Sequence, residues 1–357
     1  MFGKTMVRGL LAVVLLTSAV SVQADVFHMP AGDTSLQFVT VGNPGNLADP
    51  ATGNLYGSVG YTYQMGKYDV TLGQYCQFLN AVAKTDTYHL YTIYMMDGFF
   101  VPGIPSGISQ SGSSGSYSYL VIGSNPQAAN CPVYYVTWAD AARFCNWLQN
   151  GQPTGAEGNG TTETGTYTLN GATSDSAFSA VTRNAGATYF LPTENEWYKA
   201  AYYDPSLNGG AGGYWTYATR SNTPPSNSLV LAPTEANDAN YYIGGSTDPT
   251  NCLTPVGLFA ASPSAYGTFD QNGDVWQLNE TSMIGGYYRG ICGGSWGSFQ
   301  SSDLASSGPE GVTPVTFENK YTGFRVAAAV PEPSTLALLG SALLGIGIVY
   351  LRKRKAR

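Results

Sequence analysis

The sequence predicts an irregular, loop-rich α+β fold with few short helices, followed by a single C-terminal transmembrane helix. Three observations carry that expectation. Charged residues make up only 11% of the 357-residue chain, whereas glycine numbers 44 and tyrosine 26, a balance that disfavours a helical bundle and favours turns. Helical spacing of apolar residues is confined to three short stretches, each opened by a threonine. Near the end, Thr335 to Leu351 is an apolar run long enough to span a bilayer.

The two ends read as targeting segments. Lys4 and Arg8 precede the apolar run Leu10 to Val20, and Val22-Gln23-Ala24 supplies small residues for signal peptidase, so residues 1–24 are expected to be a cleaved signal peptide. At the far end, Pro331-Glu332-Pro333 leads into the apolar stretch, and Arg352-Lys353-Arg354-Lys355 follows it. The basic cluster would hold the end of the helix on the cytoplasmic side and leave the body outside. The two prolines keep the preceding strip extended for a processing enzyme. Between these segments, residues 25–330 carry nine basic and 22 acidic side chains, a formal charge of −13. Such a body repels phosphate backbones, which excludes nucleic acid as a partner, and it suits divalent cations. Cys76, Cys131, Cys145, Cys252 and Cys292 show no metal-ligand spacing. Export would permit disulfides, but five cysteines leave the pairing open.

The body then divides in order. Before Tyr61 the Gly, Asn, Pro and Asp content suggests strands separated by turns. Thr71 can cap a helix carrying Leu72, Tyr75, Phe78 and Leu79 at helical spacing. Asp97 to Gln127 is rich in serine and glycine and reads as a surface excursion. Val133-Tyr134-Tyr135-Val136 is strand-like, after which Thr137 can cap a second helix bearing Trp138, Ala142, Phe144, Cys145 and Leu148, with Gly151 at its end. A polar insertion runs from Gly151 to Gly186. Thr193 with Glu196 three residues later is a capping box for a third helix. Strands and turns are expected beyond it. Trp138, Trp147, Trp197, Trp276 and Trp296 read as core anchors, and Arg325 as a buried ion-pair partner of Glu194 or Glu196.

The tail closely resembles the PEP-CTERM sorting signal of exopolysaccharide-producing Gram-negative bacteria. That resemblance implies cutting by an exosortase, transient anchoring in the inner membrane, and transfer to the cell surface or extracellular matrix. The body is similar to the formylglycine-generating enzyme, or sulfatase-modifying-factor, family. The blocks that match are Tyr68-Asp-Val-Thr71, Pro132-Val-Tyr-Tyr-Val-Thr-Trp138, Leu191-Pro-Thr-Glu-Asn-Glu-Trp197, Gly267-Thr-Phe-Asp-Gln-Asn-Gly-Asp-Val-Trp276, Gly293-Gly-Ser-Trp296 and Gly323-Phe-Arg325. The resemblance implies a variant of the C-type lectin fold over residues 25–330.

Family catalysis uses two cysteines, two and seven residues after the aromatic of the Gly-Gly-Ser block, which gather a copper ion through soft thiolates. Here those positions hold Ser298 and Asp303, hard and weak ligands for monovalent copper, and Cys292 lies on the other side of the block. The iron-dependent branch of the family uses several histidines, and this chain has only His28 and His89. Two family calcium sites map onto Asp270, Gly273, Val275 and Gln277, and onto Asn240, Tyr241, Asp248 and Thr250, where side-chain and carbonyl oxygens are the hard ligands calcium prefers. The expectation is a non-catalytic binding or matrix module with a calcium-stabilised scaffold, its ligand an extracellular polysaccharide or an envelope protein. The alternative is a formylglycine-generating oxidase converting a sulfatase cysteine.

Overall fold

A computed structural model describes residues 27, 29–96, 107–123, 126–230, 234–249, 251–308 and 311–330. The expected signal peptide, His28, Thr250, the Pro331-Glu332-Pro333 motif and the apolar stretch at 335–351 lie outside them. Among the described residues no helix is long and apolar enough to cross a membrane.

Two four-stranded sheets organise the body. The first has the order β1 (Phe38–Val41), β2 (Tyr63–Gly66), β12 (Ala327–Ala329), β5 (Tyr189–Phe190), with every neighbour antiparallel. It therefore joins the two ends of the body in one sheet. The second runs β10 (Gly311–Pro314), β9 (Tyr288–Cys292), β8 (Trp276–Met283), β11 (Thr322–Phe324), and only β11 is parallel to its neighbour. Two small hairpins complete the strands: β3 (Gly107–Ser111) with β4 (Ser118–Ile122), and β6 (Tyr203–Asp204) with β7 (Gly213–Tyr214).

The three helices expected from the threonine signals form: α1 (Leu72–Val82), α2 (Trp138–Gln149) and α4 (Glu194–Tyr202). Single turns α3 (Asp175–Phe178) and α5 (Leu207–Gly210) add little. Each long helix opens on a reciprocal capping box, Thr71 with Gln74, Thr137 with Asp140 and Thr193 with Glu196, so two otherwise orphaned amides are satisfied at each start. α1 and α2 bury their aromatic faces together and against β11. Phe78 and Phe144 stand 5.3 Å apart edge to face, and Phe144 and Phe324 5.4 Å, geometries that favour aromatic quadrupoles.

Four expectations change. Val133 to Val136 is not a strand, because Tyr135 takes a left-handed φ of 55° that breaks the extended run. The described part of the 97–127 stretch is no free excursion: β3 and β4 bury Ile108 and Tyr119 in the core that α1 also enters. The polar insertion also enters the core through Tyr167 and through Glu163, whose buried carboxylate pairs with Arg143 at 2.7 Å. Of the five tryptophans expected as core anchors, four are buried, but Trp276 is only partly so. All five cysteines are buried, and no disulfide joins them among the described residues.

Candidate functional site

α4 follows β5 of the first sheet and packs against β8 and β9 of the second, and its first turn sets the site. Glu196 is spent on the frame. Its carboxylate takes the Thr193 amide at 2.6 Å, Arg183 at 2.8 Å and the Tyr61 hydroxyl at 2.7 Å. Glu194, one residue past the cap, points instead toward β8 and β9. Its Oε1 accepts from the Cys292 thiol at 2.9 Å, its Oε2 accepts from Asn279 Nδ2 at 2.5 Å, and its backbone amide donates to Thr281 Oγ1 at 2.8 Å. Asn279 Nδ2 also reaches the Cys292 sulfur at 3.4 Å.

The β8–β9 ladder shifts register between Leu278 and Ser282, and a strand irregularity of this kind redirects side chains. Asn279, Glu280 and Thr281 lie inside that interval, and each holds a partner outside the ladder. Glu280 receives Arg183 at 2.7 Å and the Tyr167 hydroxyl at 2.8 Å.

Arg325 pairs with neither Glu194 nor Glu196, contrary to the expectation. Its guanidinium contacts Asp69 at 3.2 Å, Gln277 Oε1 at 2.7 Å, and the carbonyls of Gly66 and Phe269 at 2.8 Å each. Burial lowers the arginine's pKa and raises that of Asp69, the direction that desolvation imposes on both partners.

Glu194 and Cys292 border a cavity of about 320 Å³. Its aromatic walls are Tyr56, Trp197, Tyr198 and Tyr202, and its polar rim includes Asp303 and Ser306. Burial raises the pKa of the Tyr198 and Tyr202 phenols, so both remain neutral donors: Tyr198 donates to Asp49 Oδ2 at 2.7 Å and Tyr202 to the Leu304 carbonyl at 2.9 Å. Gly293 lines the cavity, and it and Gly294 turn the chain there with φ of 97° and 77°. A Cβ at Gly293 would meet the Gln271 carbonyl at 2.4 Å and the Trp197 ring at 3.0 Å, so only glycine passes there.

The two positions that hold thiolates in the family are separated in role. Ser298 is buried outside the cavity lining, with its hydroxyl taken by the Ser295 amide at 3.1 Å, whereas Asp303 stands at the rim. That donor set does not fit a cuprous ion. Cys292, which the order of residues places on the other side of the block, does line the cavity. Sequence spacing missed Cys292, Glu194 and Asn279 because three separate elements supply them. The one local signal was the unused first-turn glutamate beside the capping box.

The residues mapped to calcium fall in two neighbouring places. In the first set, Gln277 Oε1 is filled by Trp197 Nε1 at 2.6 Å and by Arg325 at 2.7 Å, and its Nε2 donates to the Asp270 carbonyl at 2.7 Å. The Asp270 carboxylate takes the Gly257 amide at 2.7 Å, and burial raises its pKa to about 6. With a guanidinium already donating to its fourth ligand, the set of Asp270, Gly273, Val275 and Gln277 does not fit a cation. The second set fits better. Asn240 is 2% exposed, and its Oδ1 has no partner while Nδ2 donates to Cys252 O at 2.8 Å and Asp274 Oδ1 at 3.0 Å. The Tyr241 carbonyl accepts from Asn227 and Thr247, and the Asp248 carboxylate from Asn251, so a cation there would share those oxygens. Among the described residues no three His, Cys, Asp or Glu side chains cluster tightly enough to hold a metal.

Comparison with known proteins fits this geometry. The fold is similar to that of the solved structure titled CarF, with a TM-score of 0.50 and 19% identity over 83% of this chain and 98% of that one. It is likewise similar to variable protein 1 of Treponema denticola, with a TM-score of 0.51 and 16% identity over 85% and 98%. No curated protein matches. A PEP-CTERM protein-sorting motif matches residues 329–355, implying export, processing by exosortase-type machinery and sorting to the envelope of a Gram-negative bacterium. Residues 39–330 match the sulfatase-modifying factor enzyme 1-like domain, and the chain belongs to that family.

Proposed function

We propose that this is a non-catalytic binding module of the cell envelope, with residues 1–24 as leader, 25–330 as the module and 331–357 as the sorting tail, and that its cavity takes a saccharide of the extracellular matrix. The observation that carries the reading is the cavity lining: the partly exposed Tyr56 ring backed by the buried Trp197, Tyr198 and Tyr202, two carboxylates and a hydroxyl rim, with Ser298 and Asp303 where relatives place paired thiols. The Tyr56 ring face can stack on the C–H face of a sugar, and phenol oxygens and carboxylates can accept from its hydroxyls. A lectin-like scaffold fits the loop-rich build. In the calcium part of the proposal, Asn240, Tyr241, Asp248 and Thr250 hold one ion, and Arg325 supplies fixed positive charge at the other place.

Two measurements test it. Titration of the purified full chain with matrix saccharides should show saturable heat, and mixing it with copper and a Cys-x-Pro-x-Arg peptide should give neither stoichiometric copper nor formylglycine. Peptide turnover would overturn the non-catalytic reading. Calcium should raise the melting temperature relative to EDTA, and an unchanged melt would remove the ion from the scaffold.

A further inference from the structure

The cavity beside Cys292 has a neighbour. The 3-10 turn Pro50–Thr52 forms part of its outer wall, and on the far side of the same loop lies a second hollow of about 860 Å³. Asn43, Asn46, Asp49 and Asn208 line it, with Tyr203 and Tyr214 of the β6–β7 hairpin. A row of packed rings, buried except for the partly exposed Tyr214, runs between the two. Centroids are 5.8 Å apart for Trp197–Tyr202, 4.9 Å for Tyr202–Tyr198, 5.7 Å for Tyr198–Tyr214 and 5.1 Å for Tyr214–Tyr203. The first three residues line the inner cavity and the last two the outer hollow.

The loop is locked against this row. Gly57 adopts φ 93°, and a Cβ there would lie 2.6 Å from the Tyr214 hydroxyl and 2.9 Å from the Tyr198 ring. Asn46 Nδ2 donates to the Tyr214 hydroxyl at 2.7 Å, and that hydroxyl donates to the Leu47 carbonyl at 2.7 Å. The wall between the hollows is thus built, not loose.

Charge narrows the occupant. Glu194 and Asp303 border the inner cavity and Asp49 the outer one, and neither lining contains a lysine or arginine among the described residues. Lys199 is buried, its ammonium donating to the Asn43 carbonyl at 2.9 Å. A ligand bearing carboxylates, sulfates or phosphates would face like charge in both places, within a body of net charge −13.

We propose that the two hollows are successive subsites for one linear glycan of neutral or amino sugars, which meets the partly exposed rings of Tyr56 and Tyr214 and crosses the Pro50–Thr52 turn. This rests on the saccharide reading above. It adds that the ligand is a chain of several residues, and that it is not an acidic polysaccharide.

Calorimetric titration of the full chain with neutral gluco-, manno- and galacto-oligosaccharides, chitosan oligomers and oligogalacturonates, each from one to six residues, tests it. A neutral or amino series should gain about tenfold in affinity on lengthening from a single residue to a span that enters both hollows. Oligogalacturonates should bind more weakly at every length. Tyr214→Ala should remove the gain from lengthening. Ala211→Trp, at an exposed position lining the outer hollow, should do the same by filling it, so the test survives if loss of Tyr214 disturbs the loop. Equal affinity for one and six residues, or preference for the acidic series, overturns the two-subsite proposal while the saccharide reading stands. No binding by any series at any length removes both.

Discussion

Arg325 shows how one side chain settles a buried polar cluster. It is fully buried, satisfies Gln277 and two carbonyls, and faces an Asp69 that has one carboxylate oxygen without a partner. A buried pair of this kind adds little net stability, yet removing one member strands the other. Arg325→Met is therefore expected to cost about 3–5 kcal/mol, read from urea midpoints at constant slope; a loss below about 1 kcal/mol would show that Asp69 finds another partner. Asp140 carries a pH dependence. Burial raises its carboxyl to about 7 from the ordinary value near 4, so the folded state keeps a proton that the unfolded chain has released. Its contribution is full below about pH 4 and is lost as pH rises through about 7. Melting temperature should fall across that window, and Asp140→Asn should flatten part of the fall; parallel curves for both proteins would reject the assignment. The identity of Arg325 was legible in the sequence, but its partner was not, since Asp69 lies 256 positions away and is chosen by packing.

At the scale of elements, α4 connects local code to the site. Its capping box fixes the first turn, which leaves Glu194 directed at the β8 irregularity and at Cys292. Thr193→Ala should cost about 1 kcal/mol of stability, the ordinary value of a lost cap, and should weaken saccharide binding, because Glu194 is the adjacent residue. Denaturation and calorimetry on the same variant separate these effects, and a destabilised variant with unaltered binding would detach Glu194 from the ligand. The helices were readable because caps and apolar spacing are local. The Val133–Val136 strand misread arose because β-branched and aromatic residues signal burial as readily as pairing, and here Tyr135 turns left-handed while its neighbours stay buried.

For the whole molecule, the sorting motif of the tail implies delivery to the envelope, while the proposed recognition rests on how distant loops meet. Replacing Pro331, Glu332 and Pro333 with alanine should keep the chain in the inner-membrane fraction, whereas the unaltered chain should appear at the surface or in the medium; fractionation and immunoblotting decide it. The sorting motif near the C-terminal end, the family blocks and the positions of three helices were legible from residues close together in the sequence, because motifs, caps and periodicity act over a few positions. The cavity was decided by tertiary structure alone. Tyr56, Glu194, Cys292 and Asp303 come from four separate segments, and only the packing of α4 against the β8–β9 ladder and the 49–57 loop brings their side chains to one surface.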